Sequence, residues 1–110
     1  MTTDADDQPF TIAFIGHADP AGAERASAYE DEVLVLLEDH GARLLYRGRR
    51  ADGQDAALPL EVHLIRFPHR AAFDAYLADD RRLALRARYG EVFSTTQVVE
   101  LETVTGTATA

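Results

Sequence analysis

The side chains best suited to chemistry in this chain are four histidines, several arginines and two carboxylate runs. His17, His40, His63 and His69 form no H-x-H, H-x-x-E-H or H-E-x-x-H pattern. Glu61 and His63 stand two residues apart. Brought together with His17 they would make the two-histidine, one-carboxylate set that suits non-haem iron or zinc. The spacing does not demand that convergence, so no metal and no cofactor is expected. A second grouping is more suggestive. Tyr46 and Arg47 fall toward the end of one apolar segment and His17 at the end of another. An arginine grips a carboxylate or phenolate through two parallel hydrogen bonds, and a histidine moves protons near neutral pH. With Phe14 and Leu64 as apolar walls, His17, Tyr46 and Arg47 make the expected binding site for a small acidic or enolic molecule. The plainer reading is that Arg47, Arg49 and Arg50 only balance an acidic surface in weak exposed pairs.

Other charged groups read as structural. Glu30-Asp31-Glu32 and Glu38-Asp39 suggest a solvated helix face, met within the subunit by Arg81, Arg82, Arg86 and Arg88 of a later helix. His40, just before Gly41, suits the last carbonyls of a helix. No G-x-S-x-G elbow and no glycine-rich phosphate loop occurs.

The elements that must position these groups come from a chain of 110 residues, 46% of them hydrophobic, which allows one domain with a real core. Nineteen acidic against eleven basic side chains give a net charge of −8, which disfavours nucleic acid and anionic lipid as partners. The absence of cysteine excludes disulfides, thiolate nucleophiles and zinc fingers. No apolar run is long enough to span a bilayer, and residues 1–9 carry no basic or apolar signal segment, so a cytoplasmic location is expected.

Alternation predicts a strand at 10–16. Asp19-Pro20 opens a helix that Gly41 stops, with Asp19 accepting from the first N–H groups. Strands follow at 43–49 and 60–67, with a polar turn around Asp52-Gly53 between them. A short helix over 70–78 leads to a second helical piece that Gly90 stops, and the last strand covers 97–104. Residues 1–9 and 105–110 read as flexible tails around a single domain at 10–104.

This order gives an α+β fold, a ferredoxin-like βαββαβ sandwich with an antiparallel sheet and the first and third strands at its centre. Phe10, Ile12, Phe14, Leu44, Tyr46, Val62, Leu64, Val99 and Leu101 are assigned to the face under the helices. Ala13, Ile15, Leu45, Ile65, Phe67, Val98 and Val104 then share the open face with Arg43, Arg47, Glu61, His63, Glu100 and Glu102. That face is too apolar to stay wet, so a second copy is expected to cover it.

Tyr29, Val33, Leu36 and His40-Gly41, followed by Leu44, Leu45, Arg47 and Gly48, resemble the first helix and second strand of the dimeric α/β-barrel superfamily. Phe67-Pro68 with Phe73, Tyr76, Leu77 and Arg86 resembles its strand-to-helix junction, although Arg66-Phe67-Pro68-His69 stands where better-known members have Glu-Phe-Pro-Ser. The resemblance is closest to uncharacterised stand-alone members. It extends to antibiotic-biosynthesis monooxygenases, muconolactone-isomerase-like proteins and stress-responsive barrel proteins. It implies a homodimer of ferredoxin-like subunits, each with a small-molecule cavity between sheet and helices. The function expected from it is a cofactor-independent monooxygenase or isomerase acting on a small aromatic or enolic metabolite. The alternative is a non-catalytic accessory protein whose dimerisation is its function.

Overall fold

The computed structural model describes residues 5–104. Four strands form one antiparallel sheet: β1 (Phe10–His17), β2 (Arg43–Arg49), β3 (Glu61–Phe67) and β4 (Thr95–Leu101), in the order β2-β3-β1-β4. Helices α1 (Ala23–Val33), α2 (Arg70–Leu77) and α3 (Asp80–Tyr89) complete the domain. The β-α-β-β-α-β order with β1 and β3 central is the expected ferredoxin-like sandwich, its second helical unit split into two. The tail residues 1–4 and 105–110 lie outside the described residues, while Ala5–Asp7 forms a 3-10 turn rather than a frayed end. No helix of the described residues is long and apolar enough to cross a membrane.

Local chemistry explains the boundaries. Pro20–Gly22 is a 3-10 turn, whose entry is closed by the Asp19 carbonyl accepting from the Gly22 N–H at 2.9 Å; the Asp19 side chain makes no capping bond. The helical segment then tightens at Leu34–His40 into a 3-10 turn, which buries Leu34, Leu36 and Leu37 together. Gly41 ends it in the left-handed region at φ 71°, a conformation that costs a side chain dearly. His69 caps α2, its Nδ1 accepting from the Ala72 N–H at 3.1 Å. His40 does not serve the helix carbonyls: its Nε2 lies 2.7 Å from Asp79 Oδ2, the residue that caps α3.

The pairing register corrects the expected faces. Residues directly opposite share a face, and β1–β3 aligns Phe10 with Phe67, Ile12 with Ile65, Phe14 with His63 and Gly16 with Glu61. Phe10, Ile12 and Phe14 lie under the helices as expected. In β3, however, Glu61, His63, Ile65 and Phe67 face inward, and Val62 and Leu64 outward. β4 is reversed in the same way: Val98 pairs with Phe14 and shares its face, while Val99 pairs with Ala13. In β2 an irregularity between Leu44 and Tyr46 sets Leu45 out of the ladder, so Leu44 pairs with Ile65, Tyr46 with Leu64 and Arg47 with His63. Tyr46 is therefore on the open face and Arg47 under the helices. Each side of β3 carries two apolar residues, Val62 and Leu64 on one and Ile65 and Phe67 on the other, so alternation alone could not choose between them. The larger Ile65 and Phe67 take the helix side, where Phe67 is fully buried against Phe73, ring centroids 5.0 Å apart. Glu61 and His63 are admitted beside them because both are paired there.

Candidate functional site

The sheet and helices enclose a cavity of about 660 Å³, large enough for a bicyclic or tricyclic molecule. Phe14, Ile65, Phe73 and Phe93 supply apolar wall, and Tyr29, Glu30, His63 and Arg82 supply its polar groups. Gly16 keeps room for that wall: a Cβ there would lie 2.7 Å from the Phe93 ring. Arg86, Glu91 and Thr96, all exposed, mark the side where the cavity opens over β4.

At the inner end of this space β3 and α1 meet in a buried polar network. Glu61 is fully buried and accepts from four donors. Ser27 Oγ donates to Oε2 at 2.6 Å. Arg47 donates from Nε to Oε1 at 2.8 Å and from Nη2 to Oε2 at 2.9 Å, the parallel fork that matches a carboxylate. His63 Nε2 lies 2.7 Å from Oε1. Burial alone would raise the Glu61 pKa, but the hydrogen bonds from His63, Arg47 and Ser27 outweigh it and hold the carboxyl well below the usual carboxylate range. Arg47 is anchored further by Asp31 Oδ1 at 2.7 Å and the Ser27 carbonyl at 3.2 Å. The Arg47 guanidinium is shifted above its ordinary value, first through the hydrogen bond to Glu61.

An ionised Glu61 can only accept, so Nε2 of His63 carries a proton, and in the neutral tautomer this sets, Nδ1 is the nitrogen with the lone pair. Phe14 stacks on the ring at 4.9 Å and fixes its plane. Nδ1 lies 3.8 Å from Oε2 of Glu30, too far for a hydrogen bond. Glu30 is the one member of the acidic run turned inward, and it is 5% exposed. Burial, reinforced by the charge of Glu61, pushes its pKa up to about 8, so that it holds a proton at neutral pH. An imidazole nitrogen and a protonated carboxyl thus stand side by side on the cavity wall.

The five residues expected to bind a ligand are not brought together. Phe14 is a cavity wall, and Arg47 lies on the same face but behind Glu61. Tyr46 and Leu64 pair with each other on the open face of the sheet. His17 ends β1 on that same open side, opposite Thr95, beside a smaller surface hollow. Accordingly, His17 does not meet His63 and Glu61. Among the described residues no group of three or more His, Asp or Glu side chains is placed to hold a metal ion. Sequence reasoning missed Glu30, because it stood within a charge run, and Arg82 for the same reason. The missed signal was position: Glu30 follows Ala26, Ser27 and Tyr29 on the buried side of α1. Two of the basic groups meet the acidic face as expected, Arg81 with Asp39 at 2.8 Å and Arg88 with Glu32 at 2.7 Å, while Arg86 lies at the mouth of the cavity.

The arrangement defines a class: a ferredoxin-like α+β domain with a ligand-sized cavity between sheet and helices. Solved structures share that fold across most of the chain. A "putative antibiotic biosynthesis monooxygenase" of Caulobacter crescentus is 13% identical, with a TM-score of 0.69 over 91% of this chain and 93% of that one. An uncharacterised NIPSNAP-like domain protein of Burkholderia xenovorans is 17% identical, with a TM-score of 0.71 over 91% and 89%. The RPA0582 protein of Rhodopseudomonas palustris, of unknown function, is 17% identical, with a TM-score of 0.67 over 89% and 84%. No family model and no curated protein sequence matches the chain.

Proposed function

We propose that this protein is an enzyme of small-molecule proton transfer, an isomerase-type catalyst for an enolisable or phenolic aromatic metabolite. One observation carries the reading: His63 Nδ1 and the buried Glu30 carboxyl stand 3.8 Å apart on the wall of the cavity. The carbon–hydrogen bond next to a substrate carbonyl breaks, and its proton passes to Nδ1 of His63. The electron pair moves into the enolate, which takes a proton from Glu30 at oxygen or at a second carbon. Return of the His63 proton to Glu30 resets the site, so no oxidant or cofactor is consumed. Glu61 and Arg47 are positioning residues. Glu61 fixes the tautomer of His63 and stabilises the imidazolium as it forms.

Deuterium uptake by 2-tetralone, a bicyclic enolisable ketone, tests the reading by NMR. Wild-type protein should accelerate exchange, and His63→Gln and Glu30→Gln should each lower that acceleration by roughly a hundredfold. Equal rates for wild type and both variants, or no acceleration at all, refute it.

We further propose that the subunit works as a homodimer, packed sheet to sheet. Ala13, Ile15, Val62 and Leu64 of the open face are joined there by Tyr46, Val99 and Leu101, which are 58%, 44% and 42% exposed in the single chain. A contiguous apolar face of this kind is what a second copy would cover.

A further inference from the structure

We propose that the cavity carries a built anion subsite at Arg82, and that the substrate is therefore an acid or enol bound through an anionic oxygen. This rests on the proton-transfer reading and names the substrate class for it. Arg82 belongs to α3, is half-buried and lines the cavity. Its Nη1 donates to the Leu77 carbonyl at 3.2 Å, which ties one arm of the guanidinium to the end of α2. The guanidinium carbon lies 5.4 Å from the centroid of the Tyr76 ring, so the group is oriented on two sides. Its Nε is sealed within the protein, so the terminal nitrogens are what the guanidinium offers a ligand.

A half-buried guanidinium on the wall of an apolar cavity, with no carboxylate paired to it among the described residues, costs free energy that a bound anion recovers. The surroundings select the acceptor's charge. Arg82 contrasts with Arg81 and Arg88 on the same helix, which are engaged by Asp39 and Glu32. The nearest carboxyl in the cavity, Glu30, holds a proton at neutral pH and so does not neutralise Arg82. Arg86 adds a second positive charge at the mouth against the single Glu91. A neutral ligand would leave the Arg82 charge desolvated and unpaired. A carboxylate, phenolate or enolate oxygen at the terminal nitrogens pairs the charge. The apolar wall of Phe14, Ile65, Phe73 and Phe93 takes the ring of the same molecule. Because Arg82 and His63 both neighbour Glu30, an anionic oxygen held by Arg82 leaves the reacting part of the ligand beside the acid–base pair.

The test compares 1-hydroxy-2-naphthoate with 1-hydroxy-2-naphthamide, which has the same shape without the charge. Dissociation constants are measured by fluorescence titration at pH 7 for wild type, R82Q, R82K and H63Q. The acid should bind wild type roughly tenfold or more tightly than the amide, and R82Q should bring the two within about twofold while leaving the amide's affinity unchanged. R82K, which keeps the charge but lacks the guanidinium's planar fork, should retain part of the preference, and H63Q should retain it in full. Equal binding of acid and amide to wild type, failure of the acid to bind, or an unchanged ratio in both R82Q and R82K overturns the subsite. The proton-transfer reading fails separately, through unaltered exchange in His63→Gln, whatever the ratio shows.

Discussion

Glu61 and Glu30 sit one network apart and are driven in opposite directions by the same burial. Around Glu61 the donors of Arg47, His63 and Ser27 outweigh desolvation, and the carboxyl stays ionised. Its contribution to stability is present above the ordinary carboxylate pKa and is lost as pH falls below it. Glu61→Gln turns an acceptor into a partial donor facing the Arg47 fork and leaves that half-buried guanidinium only Asp31 and the Ser27 carbonyl. Such a break costs about 3 kcal/mol, measurable by urea denaturation at neutral pH. Little change would mean that Asp31, already bonded to Arg47, holds the guanidinium without Glu61. Glu30 has no donor within reach and gains a proton instead. Its folded pKa of about 8 lies above the ordinary carboxyl value of 4.5, so the native state binds the extra proton. Glu30's favourable contribution therefore holds at low pH and fades as pH rises through about 8. Relative to Glu30→Gln, the wild type should lose stability between about pH 5 and about pH 8, on the order of a few kcal/mol. Parallel stability profiles for the two proteins across that range would show that Glu30 titrates normally.

At the scale of elements, the network depends on how α1 ends and β2 begins. The 3-10 turn Leu34–His40 and the left-handed Gly41 reverse the chain so that β2 reaches the sheet beside β3. The irregularity at Leu45 then rotates Arg47 beneath the helices. Gly41→Ala forces a side chain into φ 71° and should cost about 1 kcal/mol. A thermal melt identical to wild type would show that the turn relaxes freely. The second control is the tie between the helical ends: His40 holds Asp79, and Asp79 in turn caps α3 by accepting from the Arg81 N–H at 2.9 Å. That tie fixes the start of the helix that carries Arg82.

At the scale of the molecule, the helices cover one side of a four-stranded sheet and leave the other side apolar. The homodimer reading predicts a mass twice the 12.1 kDa of the chain by light scattering at micromolar concentration. Leu64→Arg, at the centre of the open face, should yield the monomer without unfolding it, because that side chain makes no part of the helix-covered core. A monomeric wild type would sink the dimer while leaving the cavity and its acid–base pair untouched.

Element order, the stops at Gly41 and Gly90 and the central place of β1 and β3 were all legible in the sequence. They depend on local chemistry: turn residues, caps and the handedness of crossovers. The inward side of β1 was legible too, since Phe10, Ile12 and Phe14 are the larger set. The inward sides of β3, β4 and most of β2 were not. In β3 both alternations hold large apolar residues, and a one-residue choice exchanges Val62 and Leu64 for His63 and Ile65. Only the register with β1, and the extra residue at Leu45, settles that choice. The site followed from it. Glu61, His63 and Arg47 come from two strands, and Ser27 and Glu30 from a helix; no spacing in the chain links them. A charged residue is admitted to a core only where distant partners satisfy it, and tertiary structure alone determines where those partners meet.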